Sequence, residues 1–167
     1  MLLSLFAAAL RQRRYHRGEA RVGMRGRGRE VSQLNRTSER SGEQTPFKPL
    51  RVLVMEDNAI IGMLFADLLA EMGHVVCAIV TTQEEGVAAA ARFKPELMIV
   101  DASLSEGDGL SAVDEIVRDG FIPHVFVSGD TALVLATKPG AIVLRKPFRD
   151  RELAKVIQLA LSKTGSS

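Results

Sequence analysis

The chain of 167 residues has one cysteine, Cys77, so neither an internal disulfide nor a cysteine-rich zinc site can hold the fold. Its three histidines, His16, His74 and His124, are scattered without metal-ligand spacing. Long apolar runs are also missing. The opening MLLSLFAAAL is apolar for only ten residues, too short to span a bilayer, and no basic residue precedes it as a secretory signal requires. A secreted or membrane-spanning protein is therefore not expected, and the location inferred is cytoplasmic. Gly107 and Gly109 lie in a GDG stretch that lacks the further glycines and lysine of a phosphate-cradling loop, which argues against nucleotide binding.

Charge is present in quantity but unevenly. The whole chain has 22 basic and 20 acidic side chains, yet residues 1–49 carry 11 basic and 4 acidic ones, leaving 11 and 16 in residues 50–167. The first part is rich in Arg, Gly and Ser and poor in apolar residues, so it cannot bury enough surface to offset the entropy of ordering. Residues 1–48 are expected to be a disordered basic tail. A nucleic-acid-binding role for it rests on charge alone, and none is expected of the folded part. The remainder is long enough to bury roughly two-thirds of its unfolded surface around one core, which sets one domain over residues 49–164.

In that domain the apolar period alternates between strand and helix. The runs at 51–55, 75–80, 96–100, 124–127 and 141–145 are short, rich in β-branched residues and apolar on both faces, as buried parallel strands are. Ile61, Leu64, Phe65, Leu68, Leu69 and Met72 form one helical stripe closing at Gly73. A second helix starts at Thr81 or Thr82, where either threonine fits a capping box, and ends before Pro95. A third spans about 110–118, and the last presents Leu153, Val156, Ile157, Ala160 and Leu161 on one face. Between the fourth and fifth strands, Gly129–Gly140 has room for a helical turn or two at most. The order predicts an α/β fold, a doubly wound, flavodoxin-like five-stranded parallel sheet (order 2-1-3-4-5) with a shortened or missing fourth helix.

Ligands of such sheets sit beyond the carboxyl ends of the strands. There the sequence places Glu56 and Asp57 after the first strand, Asp101 at the third, Ser128 at the fourth and Lys146 at the fifth. Carboxylates converging at one rim repel unless they share protons or bind a cation, and hard oxygen donors suit Mg2+. An ionised carboxylate so placed can attack a phosphoryl group while Lys146 and the Ser128 hydroxyl hold its oxygens. Asp101, on the central strand, is the candidate nucleophile. Singly these residues have ordinary explanations, a helix cap or a solvated surface charge; their joint placement does not.

These pieces, the acidic pair of VLVMED (52–57), Asp101 in LMIVDASLSEGDG, Ser128 in FVSG and Lys146 in LRKPF, resemble the response-regulator receiver domain of two-component signalling. The resemblance implies that Asp101 is the phosphoacceptor. It implies that Glu56, Asp57 and Asp101 bind Mg2+ with the backbone carbonyl of Ser103, that Ser128 and Lys146 contact the phosphoryl group, and that the Lys146–Pro147 bond is cis. Two positions depart from the usual pattern: Ser105 replaces a proline four residues after Asp101, and Val143 replaces an aromatic three residues before Lys146. With PHVFVSGD these resemble the subfamily named for its FATGUY motif, which implies a kinase partner of the HWE type.

Few residues follow the last helix, so the expectation is a stand-alone receiver. It would be phosphorylated by a sensor histidine kinase and would signal to a downstream protein or pass the group on. Apart from its own phosphorylation and slow dephosphorylation it is not expected to be an enzyme. The alternative from another class is a small Mg2+-dependent phosphohydrolase with an aspartyl nucleophile, although Ser103 stands where such enzymes carry a general-acid aspartate.

Overall fold

Five short apolar runs form the strands. In the computed structural model, which describes residues 48–163, they are β1 (Arg51–Met55), β2 (Val75–Val80), β3 (Leu97–Asp101), β4 (His124–Ser128) and β5 (Val143–Arg145). They pair in parallel in the order β2-β1-β3-β4-β5. The helices are α1 (Ala59–Glu71), α2 (Gln83–Phe93), α3 (Gly109–Ile116), α4 (Thr131–Thr137) and α5 (Asp150–Ser162), with one 3-10 turn at Val117–Asp119. This is the doubly wound, flavodoxin-like arrangement the sequence predicts. The expected disordered tail falls outside the described residues, except for Lys48.

Alternation along the strands divides the core into two layers. Val52, Val54, Leu97, Ile99, Val125 and Val127 pack with Phe65, Leu68 and Leu69 of α1 and Leu153, Ile157 and Ala160 of α5. Leu53, Met55, Met98, Val100 and Phe126 point the other way, onto α2, α3 and Val134 of α4. Each such side chain, fully buried, contributes about 1.5–3 kcal/mol. Burial on both faces makes β1, β3 and β4 the rigid floor from which the site residues project.

Side chains set the helix starts. The Asn58 Oδ1 accepts the Ile60 and Ile61 amides, Thr82 Oγ1 accepts that of Glu85, and Asp108 accepts those of Leu110 and Ser111. Of the two threonines, Thr82 is the N-cap; Thr81 instead bonds the Glu85 carboxylate through its own amide and hydroxyl. The fourth helix is short but present, capped by Asp130, whose Oδ1 accepts the Leu133 amide at 3.1 Å.

Two strands differ from expectation. β2 is not buried on both faces: Val75 is exposed and the other five residues are half-buried, because β2 is the sheet edge. The β1–β2 register jumps so that Val76 faces Val52 and Ala78 faces Leu53, leaving Cys77 as the extra residue of a bulge. Cys77, expected in the core, is half-buried there, with its thiol donating to the Val52 carbonyl at 3.3 Å. Burial pushes the thiol up, and the backbone donors and Arg51 nearby only partly offset it. β5 keeps three of its five expected residues, since the chain still turns at Gly140, where φ is +81°.

Candidate functional site

The register of the three central strands brings the acidic residues to one rim. Met55 lies beside Val100, so Glu56 and Asp57 leave β1 next to Asp101, and Asp101 lies beside Val127. Backbone bonds fix the exits: the Glu56 amide donates to Val80, that of Ala102 to Val127, and that of Lys146 to Ser128. One carboxylate oxygen from each of Glu56, Asp57 and Asp101 lies within 4.8 Å of the others.

Lys146 neutralises two of the three. Its Nζ is 2.6 Å from Asp101 Oδ2 and 2.9 Å from Glu56 Oε2, joining residues 45 and 90 positions apart in the chain. Glu56 is 1% exposed and Asp101 7%, so both carboxylates are effectively desolvated while Lys146 keeps one side to solvent. Burial pushes the Glu56 carboxyl above its ordinary value against the opposing pull of Lys146, and the nearby Asp101 adds to the rise. For Lys146, burial favours the neutral amine, but the hydrogen bonds and charges of Asp101 and Glu56 outweigh it and hold the ammonium above its ordinary value.

The remaining donors come from backbone. The Ser103 amide donates to Asp101 Oδ1 at 2.9 Å, that of Asn58 to Glu56 Oε1 at 3.3 Å, and that of Ser105 to Asp57 Oδ2 at 3.0 Å. Gly109 lies so close behind Asp101 that a Cβ there would stand 1.9 Å from the Asp101 carbonyl oxygen. The Lys146–Pro147 peptide bond is cis. Two residues past Lys146, the Phe148 ring stacks on Phe65 of α1 with centroids 5.1 Å apart.

A family model described as the response regulator receiver domain matches residues 52–158. The chain belongs to that family. Among relatives, the transcriptional regulatory protein PdtaR of Mycobacterium tuberculosis is 34% identical over 119 residues, covering 69% of this chain and 58% of PdtaR. The solved receiver domain of the PhyR response regulator of Erythrobacter litoralis superposes with a TM-score of 0.63 at 27% identity, covering 68% of this chain and 91% of that one. The anti-anti-sigma factor PhyR of Bartonella quintana gives 0.64 at 26% identity, covering 71% and 49%. The chain thus spans little more than half the length of PdtaR and about half that of the Bartonella protein.

Within this receiver domain the structure unites most of the residues singled out from sequence. Glu56, Asp57, Asp101 and Lys146 meet at the rim, and Ser103 joins them through its amide. Ser128 is buried at the next strand end, but its hydroxyl is engaged with the Asp130 backbone, accepting the amide at 3.0 Å and donating to the carbonyl. Neither His74 nor His124 reaches the site: His74 accepts the Leu50 amide, and His124 lies between Phe121 and Phe126. Sequence reasoning missed the Ser105 amide and Gln83, which bonds the loop after β3; a backbone donor leaves no mark in a sequence. Among the described residues no helix is long and apolar enough to cross a membrane.

Proposed function

We propose that this receiver domain accepts a phosphoryl group onto Asp101 from the phosphohistidine of a sensor histidine kinase and signals to a protein partner or relays the group. The observation that carries this reading is the buried Asp101 carboxylate at the meeting point of one ammonium and two further carboxylates. The donor set fits Mg2+: three carboxylate oxygens close together, with Lys146 already balancing part of their charge. Glu56, Asp57 and Asp101 would hold the ion, together with the Ser103 carbonyl that the family resemblance adds. When bound, Mg2+ supplies positive charge to the phosphoryl oxygens.

The chain's own residues do the rest. An Asp101 oxygen forms a bond to phosphorus as the bond from phosphorus to the donor's imidazole nitrogen breaks, and that nitrogen leaves with its electron pair. Lys146 turns its ammonium from the carboxylate to the transferred group, where negative charge is now greatest. The Ser128 hydroxyl leaves Asp130 to donate to the same group. Because the Asp130 side chain caps α4, this exchange at Ser128 is the route by which the site reaches α4, whose Leu133 is 63% exposed; Leu159 of α5 is exposed as well. The α4 helix is already formed here, so the signal is a shift of a capped helix and not the folding of a loop. The exposed leucines support a protein target, and a kinase of the HWE type and a cytoplasmic setting complete the reading.

Intact mass after incubation with Mg2+ and acetyl phosphate tests it. One acid-labile phosphoryl group should appear on the wild-type chain and none on Asp101→Asn. Rapid multiple turnover of phosphate esters would instead favour the hydrolase.

A further inference from the structure

The rim has two sides of opposite charge. The turns after β1, β2 and β3, residues 56–58, 81–85 and 102–108, carry six acidic side chains and no basic one. Glu84, Glu85 and Glu106 among them are exposed. The turn after β5 is the reverse: residues 145–149, RKPFR, carry three cations and no acid. Lys146 is committed to Asp101 and Glu56. Arg145 and Arg149 are both exposed, and among the described residues neither guanidinium enters an ion pair.

Both arginines start close to the reacting carboxylate. Arg145 ends β5, lies beside Ser128 in the β4–β5 ladder, and immediately precedes the lysine whose Nζ is 2.6 Å from Asp101 Oδ2. Arg149 is three residues beyond that lysine, a backbone separation of no more than about 10 Å. Its main chain is anchored: the amide donates to Glu152 Oε2 at 2.7 Å, the carbonyl accepts the Glu152 and Leu153 amides, and the preceding Phe148 is stacked on Phe65. A cation at that range acts on an anion within about one Debye length in 0.1 M salt. Of the nearby acids, Asp130 is engaged at the start of α4, and Asp150 and Glu152 lie in the first turn of α5, where the helix N-terminus already attracts them.

We propose that Arg145 and Arg149 determine which phosphodonors reach Asp101, by drawing in donors according to their negative charge. This inference rests on the reading of Asp101 as the phosphoryl acceptor. Lys146 is already compensated by two carboxylates, so the field that an approaching anion meets on this side is that of the two free guanidinium groups, while the acidic side of the rim repels it. Two donors differ in the charge that this field acts on. Acetyl phosphate is a dianion near neutral pH; its phosphorus–oxygen bond breaks and acetate leaves with the electron pair. Phosphoramidate is a zwitterion with one net negative charge; its phosphorus–nitrogen bond breaks and, the nitrogen being already protonated, ammonia leaves with the pair. In both, the bond formed is from an Asp101 oxygen to phosphorus. Coulomb attraction scales with the charge of the donor, so the arginines favour the first over the second.

The test is the initial rate of phosphorylation of the full chain by each donor at one Mg2+ concentration, followed by intact mass, with folding checked by circular dichroism. In low salt, Arg145→Gln with Arg149→Gln should take acetyl phosphate roughly fourfold more slowly and phosphoramidate about twofold, so the ratio of the two rates falls about twofold. Arg145→Lys with Arg149→Lys keeps the charge and should keep the wild-type ratio. In about 1 M salt, where the Debye length is about 3 Å, the three proteins should converge. The arginines of residues 1–47 are common to all of them and drop out of the comparison. Equal slowing with both donors, a ratio that the lysine variant also loses, or a difference that persists at high salt would overturn the proposal. Lys155→Gln removes an exposed cation further along α5 and should leave the ratio unchanged; the same fall there would assign the effect to net charge and overturn it too. A wild-type chain that gains no phosphoryl group from either donor would remove the acceptor reading itself, an outcome distinct from these.

Discussion

Lys146→Met separates the charge of the rim from its shape. Methionine keeps most of the aliphatic stem and deletes the ammonium that now touches Asp101 Oδ2 at 2.6 Å and Glu56 Oε2 at 2.9 Å. Removing one partner of a buried ion pair costs about 3–5 kcal/mol, because the other charge stays desolvated. Here two carboxylates are stranded, but Lys146 is 24% exposed and water can enter along it, so about 2–3 kcal/mol is the expected loss. At about 4 °C per kcal/mol for a domain of this size, the melting temperature in EDTA should fall by roughly 10 °C. Saturating Mg2+ should raise it more in the variant than in wild type, since the ion then meets a rim carrying one more uncompensated negative charge. Adding Asp101→Asn should recover part of the loss, the coupling expected of contacting groups. Thermal unfolding by circular dichroism, with and without Mg2+, reads all three. A drop below about 1 kcal/mol, or the same Mg2+ response in both proteins, would refute the picture of a desolvated rim held together by Lys146.

Other expectations follow from single contacts. Burial holds His74 and His124 below the ordinary histidine value, so the unfolded chain takes up protons more readily near pH 6.5 and stability should decline from pH 7 to 5. Glu56, held above its ordinary value mainly by burial, works in the opposite sense, so His74→Asn with His124→Asn should flatten or reverse the slope in urea unfolding; an unchanged slope would rule the histidines out. Gly109→Ala drives a methyl into the Asp101 carbonyl oxygen and should cost more than about 3 kcal/mol or prevent folding, whereas Gly73→Ala, with open space but φ +84°, should cost only about 1–2 kcal/mol. Asp130→Ala removes the cap of α4 and should cost about 1 kcal/mol, read as faster amide exchange over residues 131–137 with little change in α5.

The topology was legible because β1, β3 and β4 are buried on both faces and therefore appear as unbroken apolar runs between helical stripes. β2 carries the same kind of run, VVCAIV, and nothing in it distinguishes an edge strand from a central one; the bulge at Cys77 is equally silent, because register is a property of two strands. Glu56, Asp57, Asp101, Ser128 and Lys146 could be placed at the rim from strand ends alone. What each one touches could not. That Lys146 spans both Glu56 and Asp101 follows from the sheet order, and that Ser128 bonds Asp130 follows from the turn into α4. The Ser105 contact comes from a main-chain amide common to every residue, and the Gln83 side chain meets a main-chain amide 25 residues away, so only coordinates reveal them.

The stack of Phe148 on Phe65 bears on how the rim survives thermal motion. Lys146 follows β5, a three-residue strand at the open margin of the sheet and the segment with the fewest ladder bonds to hold it. Its two carboxylate partners belong to β1 and β3, deep inside. The aromatic pair rivets the frail strand's exit to α1, the helix that begins immediately after the acidic pair. Cation and anions are thereby mounted on a common bracket, and breathing of the sheet's margin cannot carry the ammonium away without first parting two rings.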